Sequence, residues 1–387
     1  MPQIRDYAKH EIFKVLERIQ NAVYTKVGKL AITAWVTEEP VSFNARESGK
    51  KLELRVGQKW GNLFDSGWFH FTGTIPANAA GETVVLLLDV NGELCIVDDK
   101  GTPVQGLTTV ASSYDASLGS PGKTVFQIGS PAKGGEPVDI WADAGLNDLF
   151  GNLQADGIIK DASIAVCNED IRQLYYDFEV LLDLVQVLPA DTARCQQIVS
   201  AVMDASSIIN HFSKRQVAEA REILAGELNK KSADPSLYIS AVGHAHLDLA
   251  WLWPIRETIR KGARTFSTAI HLINRYPDYI FGASQAQLFQ WMKDCYPALY
   301  EEIRQKIHDG RIDVQGVMWV EADTNLIGGE SLIRQVLFGK LFFKKEFNRE
   351  VDILWVPDVF GYSAALPQIL KKAGIKYFAT QKLSWSK

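Results

Sequence analysis

The chain has 387 residues, 47% of them hydrophobic and 22% charged, with a net charge of −5. That length exceeds one ordinary core and asks for two or three domains. The acidic balance, without a basic stripe carrying interleaved aromatics, excludes a nucleic-acid partner. No apolar run approaches the roughly 18 residues that would suggest a membrane span. The four cysteines, Cys95, Cys167, Cys195 and Cys295, have no C-x-x-C spacing. They form neither a zinc knuckle nor a disulfide framework, which predicts a reducing compartment. The start, Met1-Pro2-Gln3-Ile4, lacks an apolar signal core, so a cytoplasmic location is expected. Nothing in the sequence fixes or excludes a homo-oligomer.

Residues 1–29 form an N-terminal helical segment: Ile12, Val15, Leu16, Ile19 and Val23 recur at helical spacing. Residues 30–168 change texture. Short strand-like runs follow one another between turn residues: Trp68–Gly73, Thr83–Leu88, Leu94–Val97, Pro103–Gly106, Val138–Ala142 and Ala162–Val166. Closely spaced strands of this kind predict an antiparallel β-sandwich of jelly-roll type. Residues 169–235 form a helical linker of three segments, Asp170–Val187, Thr192–Asn210 and Arg215–Asn229. Residues 236–387 alternate strand and helix. Strands are predicted at Leu237–Val242, Tyr279–Gly282, Ile312–Met318, Val351–Val356 and Lys376–Ala379. Helices are predicted at Arg256–Arg275, Gln287–His308, Glu330–Phe347 and Ala365–Ala373. Repeated β–α units imply parallel strands, in an open sheet or a barrel.

Active sites of parallel α/β sheets form beyond the carboxyl ends of the strands. Here those ends carry Gly243-His244-Ala245-His246-Leu247-Asp248, Ala283-Ser284-Gln285, Trp319-Val320-Glu321-Ala322-Asp323, Pro357-Asp358-Val359-Phe360-Gly361-Tyr362 and Thr380-Gln381-Lys382. On extended backbone, His244, His246 and Asp248 share one face. Imidazole nitrogen with carboxylate oxygen suits zinc or a similar divalent metal; the bland alternative is a hydrogen-bonded pair. Asp358 sits in a turn after an apolar strand and a proline, as a metal ligand, a nucleophile or both; otherwise it caps the next helix. Glu321 and Asp323 can bind hydroxyls, act as acid and base, or cap a turn. Trp251 can offer an indole face to a sugar ring, and one of Trp251 and Trp253 is expected in the core. Arg256, Glu257 and Arg260 are expected on a solvated helix face.

Taken together, Gly243–Trp251, Trp319–Asp323 and Asp358–Ser363 resemble glycoside hydrolase family 38, the class II α-mannosidases, most closely the cytosolic and bacterial branch. The resemblance implies a multidomain chain: jelly-roll-like sandwich, helical linker, then an incomplete β/α barrel that is seven-stranded in the family. It implies a retaining α-mannosidase that removes terminal α-mannose from oligosaccharides or glycosides through a covalent mannosyl-enzyme. The implied cofactor is Zn2+ or another divalent ion such as Co2+, held by His246, Asp248 and Asp358. Asp358 is implied as nucleophile, and Trp251 and Asp323 as substrate-binding residues; His244 falls outside the ligand set. The fourth ligand and the acid/base of the family lie beyond residue 387, so an incomplete, inactive fragment is expected. The rival readings are a metal-dependent amidohydrolase, a sugar deacetylase, and a non-catalytic carbohydrate-binding protein built on Trp35, Trp60 and Trp68.

Overall fold

The computed structural model describes residues 14–109, 123–147, 156–231 and 238–385. Residues 14–23 are helical (α1), and Ile19 and Val23, four positions apart, are fully buried. They pack with α2 (Glu169–Val187), α3 (Ala193–Ile208) and α4 (Lys214–Leu228) in one apolar cluster. Ile12, also assigned to that helix by the sequence, lies outside the described residues. Helices α3 and α4 begin where side chains satisfy free backbone N–H groups. Thr192 accepts from Cys195 N–H, and Ser213 forms a reciprocal cap with Gln216.

The sandwich has two antiparallel sheets. One is ordered β3 (Lys50–Leu54), β2 (Ala31–Thr37), β5 (Ser66–Thr74), β10 (Pro137–Gly145), β7 (Glu93–Val97) and β8 (Pro103–Thr108). The other is ordered β1 (Tyr24–Lys29), β12 (Asp161–Cys167), β6 (Val84–Asp89) and β9 (Val125–Gly129). A small pair, β4 (Lys59–Asn62) with β11 (Asp156–Ile158), completes it. Strand alternation sends Phe69 and Phe71 of β5 into the core against Leu86, Leu88, Leu94 and Ile96. β1 corrects the reading of residues 1–29 as a helical segment: residues 24–29 are strand, because they pair with β12.

Among the described residues, five short parallel strands follow. β13 (Gly243–His244), β14 (Phe281–Ala283) and β15 (Ile312–Val314) form one sheet, and β16 (Ile353–Val356) and β17 (Tyr377–Thr380) another. The Val317 N–H donates to the Ile353 carbonyl at 3.2 Å, which joins the two. Helices α5 (Ile255–Arg275), α6 (Ala286–Cys295), α7 (Pro297–His308), α8 (Gly329–Phe347) and α9 (Leu366–Lys372) return the chain between strands. Phe266, Phe289, Ile303, Phe343, Leu354 and Val356 lie in the shared core.

Two element assignments are corrected. The first strand is not the apolar run ending at Val242. Tyr238, Ile239 and Val242 are exposed, and pairing starts only where Gly243 N–H reaches the Ile280 carbonyl at 2.9 Å. The single helix predicted at Gln287–His308 is two, because Pro297 has no N–H to continue α6 and instead opens α7.

Helix α5 runs across the outer face of the six-stranded sheet. It comes close at Gly106, where a Cβ would stand 2.9 Å from Arg264 Cβ. The Gly106 N–H donates to Thr268 Oγ1 at 3.0 Å. Here the solvated-face expectation fails: Glu257 and Arg260 are 0% and 4% exposed. Arg260 makes a two-pronged bond to Asp143 (2.8 and 2.5 Å) and donates to Glu257 at 2.6 Å. Lys261 and Arg264 donate to Glu93 Oε2 at 2.6 and 2.9 Å. Arg256, more open, pairs with Glu39 at 3.0 Å. Buried charge persists only when paired, so α5, which starts just after the histidine motif, is locked to the sandwich.

Candidate metal and catalytic site

The carboxyl ends of the parallel strands bring His246, Asp248 and Asp358 together, with one ligand-type atom from each within 4.8 Å of the others. His246 Nε2 lies 3.4 Å from Asp248 Oδ1 and 3.5 Å from Asp358 Oδ2, and its Nδ1 lies 3.2 Å from Glu321 Oε2. Neither ring nitrogen makes a well-aligned hydrogen bond; carboxylates stand opposite both at ion-pair distances. Burial alone would lower the imidazole pKa, but Asp248 and Glu321 raise it to about 10. His244 is held apart. Its ring sits against Trp355 with centroids 5.0 Å apart, and burial lowers its pKa.

Asp358 is presented by a loop that the β15 side holds in place. Thr324, 3% exposed, donates through Oγ1 to the Gly361 carbonyl at 3.0 Å and accepts from the Ser363 N–H at 2.8 Å. Gly361 is required for room: a Cβ there would stand 2.2 Å from Asp323 Oδ1. Tyr362 donates to the Val356 carbonyl at 3.2 Å and closes on Thr380. Lys382, following β17, places Nζ 2.7 Å from Asp358 Oδ1 and over the Phe360 ring. On the other side, Ser284 donates to Glu321 Oε1 at 2.8 Å. Gln285 Nε2 donates to the Leu247 carbonyl at 2.8 Å, and its Oε1 accepts from the Glu321 N–H at 3.2 Å.

The other sequence-predicted residues divide. Trp251 is 46% exposed, whereas Trp253 is partly buried against the core, donates to Thr258 Oγ1 at 3.0 Å and lies under Lys261. Asp323 Oδ1 accepts from the Asn325 N–H at 2.9 Å, the turn-capping arrangement. Trp35, Trp60 and Trp68 are 8%, 3% and 6% exposed, and the indoles of Trp60 and Trp68 donate to backbone carbonyls. Sequence reasoning gave no role to Ser284, Gln285, Thr324 or Lys382. Each stands in a segment just after a predicted strand, which is the signal that could have found them. A cavity of about 970 Å³ opens from His246, Asp248 and Asp358 towards Gln105 and Thr108 of the sandwich and Arg264 and Thr268 of α5. No helix among the described residues is long and apolar enough to cross a membrane.

Comparison with known proteins gives two domain matches. Residues 236–387 match the glycosyl hydrolases family 38 N-terminal domain, and residues 27–172 match the alpha-mannosidase jelly roll domain. Among relatives, alpha-mannosidase G of Dictyostelium discoideum is 33% identical over 90% of this chain and 32% of its own length. Human alpha-mannosidase 2C1 is 32% identical over 92% of this chain and 34% of its own. The alpha-mannosidase of Saccharomyces cerevisiae is 31% identical over 90% and 34%. The chain thus spans about a third of the length of the curated relatives it matches.

Proposed function

The chain belongs to glycosyl hydrolase family 38, and on that premise we propose that it carries the metal-binding, nucleophile-bearing part of a retaining α-mannosidase. One observation carries the reading: His246, Asp248 and Asp358 converge from separate strand ends on a common point. An imidazole and two carboxylates form a donor set suited to Zn2+ or Co2+, and neither nitrogen of His246 is committed to an aligned hydrogen bond. When bound, the ion supplies a Lewis acid that orients the cis 2- and 3-hydroxyls of a terminal α-mannose and stabilises developing charge.

In this reading a carboxylate oxygen of Asp358 bonds to the anomeric carbon while the glycosidic oxygen leaves with a proton from an acid. Water then gives a proton back to that group, attacks the same carbon and frees the Asp358 carboxylate. Lys382 stands against Asp358 and opposes its charge. The open indole face of Trp251 offers a platform for the sugar ring, and Asp323 contacts a hydroxyl through the oxygen not engaged by Asn325. A retaining glycosidase needs a second carboxyl about 5–5.5 Å from the nucleophile. Among the described residues, the cluster assigns neither that acid nor a fourth ligand. We read the parallel strands as part of a β/α barrel within a domain at 236–387, after a linker at 169–235 and a sandwich that β1 extends back to Tyr24. The free state of Cys95, Cys167, Cys195 and Cys295 supports a cytoplasmic location.

The rivals are weaker on specific grounds. A carbohydrate-binding sandwich needs exposed aromatic platforms, and Trp35, Trp60 and Trp68 are buried. An amidohydrolase needs histidines at later strand ends, and none follows His308. The deciding experiment is mass spectrometry of the metal-loaded chain after exposure to 5-fluoro-α-mannosyl fluoride, whose fluoride leaves without an acid. The reading requires a mannosyl adduct on the Asp358 peptide, lost in Asp358→Asn and after metal stripping. An adduct elsewhere, or none, removes Asp358 from the nucleophile role.

A further inference from the structure

Glu321 is the one carboxylate at the site that stands behind His246 rather than beside the cluster. Its side chain is 6% exposed, and Oε2 faces His246 Nδ1 at 3.2 Å. The opposite oxygen accepts from Ser284 Oγ at 2.8 Å, and its backbone N–H is held by Gln285. Gln285 itself adopts φ 68°, a left-handed conformation that is strained for a non-glycine residue. That conformation lets one amide hold the Leu247 carbonyl, between His246 and Asp248, and the Glu321 backbone together. A carboxylate this enclosed needs a charged partner, and the ion-pair partner it has among the described residues is His246.

We propose that Glu321 is a positioning residue that fixes the ring orientation of His246, holding the Nδ1–H so that Nε2 is the nitrogen turned to Asp248 and Asp358. The inference rests on the metal-site reading above. The physical reason is general: a metal-ligating histidine gains a defined tautomer and a more basic donor nitrogen when its other N–H is held by a carboxylate, and loss of such a partner weakens metal binding about 10- to 100-fold. Glu321 is neither a ligand nor an acid in this account. Ser284 and Gln285 act one step further out, by fixing the carboxylate.

The test is titration of Zn2+ alone into the metal-stripped 387-residue chain, in competition with a chromophoric chelator, with apo melting followed for each variant. Glu321→Gln is expected to lower Zn2+ affinity about 10- to 100-fold at an unchanged apo melting temperature, with Glu321→Asp recovering part of it. His246→Ala separates the two claims. Zn2+ binding lost in His246→Ala but kept within about threefold in Glu321→Gln overturns the Glu321 role and leaves the metal site standing. Binding that is absent in the wild type, or indifferent to His246→Ala, overturns the metal-site reading and this inference with it. If Glu321→Gln lowers the apo melting temperature, Ser284→Ala decides: it frees the carboxylate without removing charge, and a loss of about two- to tenfold is expected. Unchanged affinity there overturns the proposal.

Discussion

The Thr324 hydroxyl donates to the Gly361 carbonyl oxygen at 3.0 Å, and through this bond the loop after β15 holds the loop that presents Asp358. The Thr324 hydroxyl oxygen in turn accepts from the Ser363 N–H, so one buried side chain sets the path of the turn on both sides of Tyr362. Thr324→Val keeps the shape and removes both bonds. It should destabilise the chain by about 1–3 kcal/mol in urea unfolding and weaken Zn2+ binding by loosening Asp358. An unfolding midpoint and an affinity both equal to wild type would show that the loop is held by other contacts.

The Arg260 guanidinium is shared by Asp143 of the sandwich and Glu257 of its own helix. Arg260→Met leaves those two carboxylates buried without their partner. A loss of about 3–5 kcal/mol is expected, since removing one member of a buried pair strands the other. A loss under about 1 kcal/mol in chemical denaturation would mean that water or Arg264 compensates.

Acid should unlock the same interface through Glu93. Burial alone would push its carboxyl up, but Arg264 and Lys261 hold it down at about 2, below the ordinary value near ~4.3 expected in the unfolded chain. A depressed folded-state pKa contributes stability that is complete above the unfolded value and is lost as pH falls through the folded one. Stability measured by urea midpoint should therefore drop between about pH 4.3 and 2, and Glu93→Gln should flatten that part of the profile. An identical acid limb in the variant would assign the drop to other groups.

Much of this was legible in the sequence, and the rest fails for identifiable reasons. One rule, that ionisable residues after parallel strands face a common rim, points to His244, His246, Asp248 and Asp358 together; only the family resemblance sets His244 aside. The helical linker follows from helical periodicity broken at Pro189 and the polar stretch 210–214. Glu257 and Arg260 were misread because charges at helical spacing look alike on a wet face and in a buried network. Their distinguishing partner, Asp143, lies over a hundred positions away. The apolar run before Gly243 was misread because a strand needs a neighbour to pair with, and alternation cannot reveal one. Trp251 and Trp253 were separable only by exposure.

In its proposed role as a sugar platform, Trp251 bears on ligand binding alone. Trp251→Ala should leave Zn2+ affinity unchanged and weaken binding of an iminosugar mannose analogue to the metal-loaded chain about two- to tenfold, the size of an aromatic contact. Calorimetry checks both numbers at once. Unaltered analogue binding would place the sugar away from this indole.

The convergence of three side chains on one ion is tested most directly by anomalous diffraction at the zinc edge from crystals of the Zn2+-soaked chain. The account predicts a single strong peak bounded by His246 Nε2, Asp248 and Asp358, absent in crystals of His246→Ala. Zinc density located elsewhere, or a peak at this rim that survives loss of His246, would contradict it.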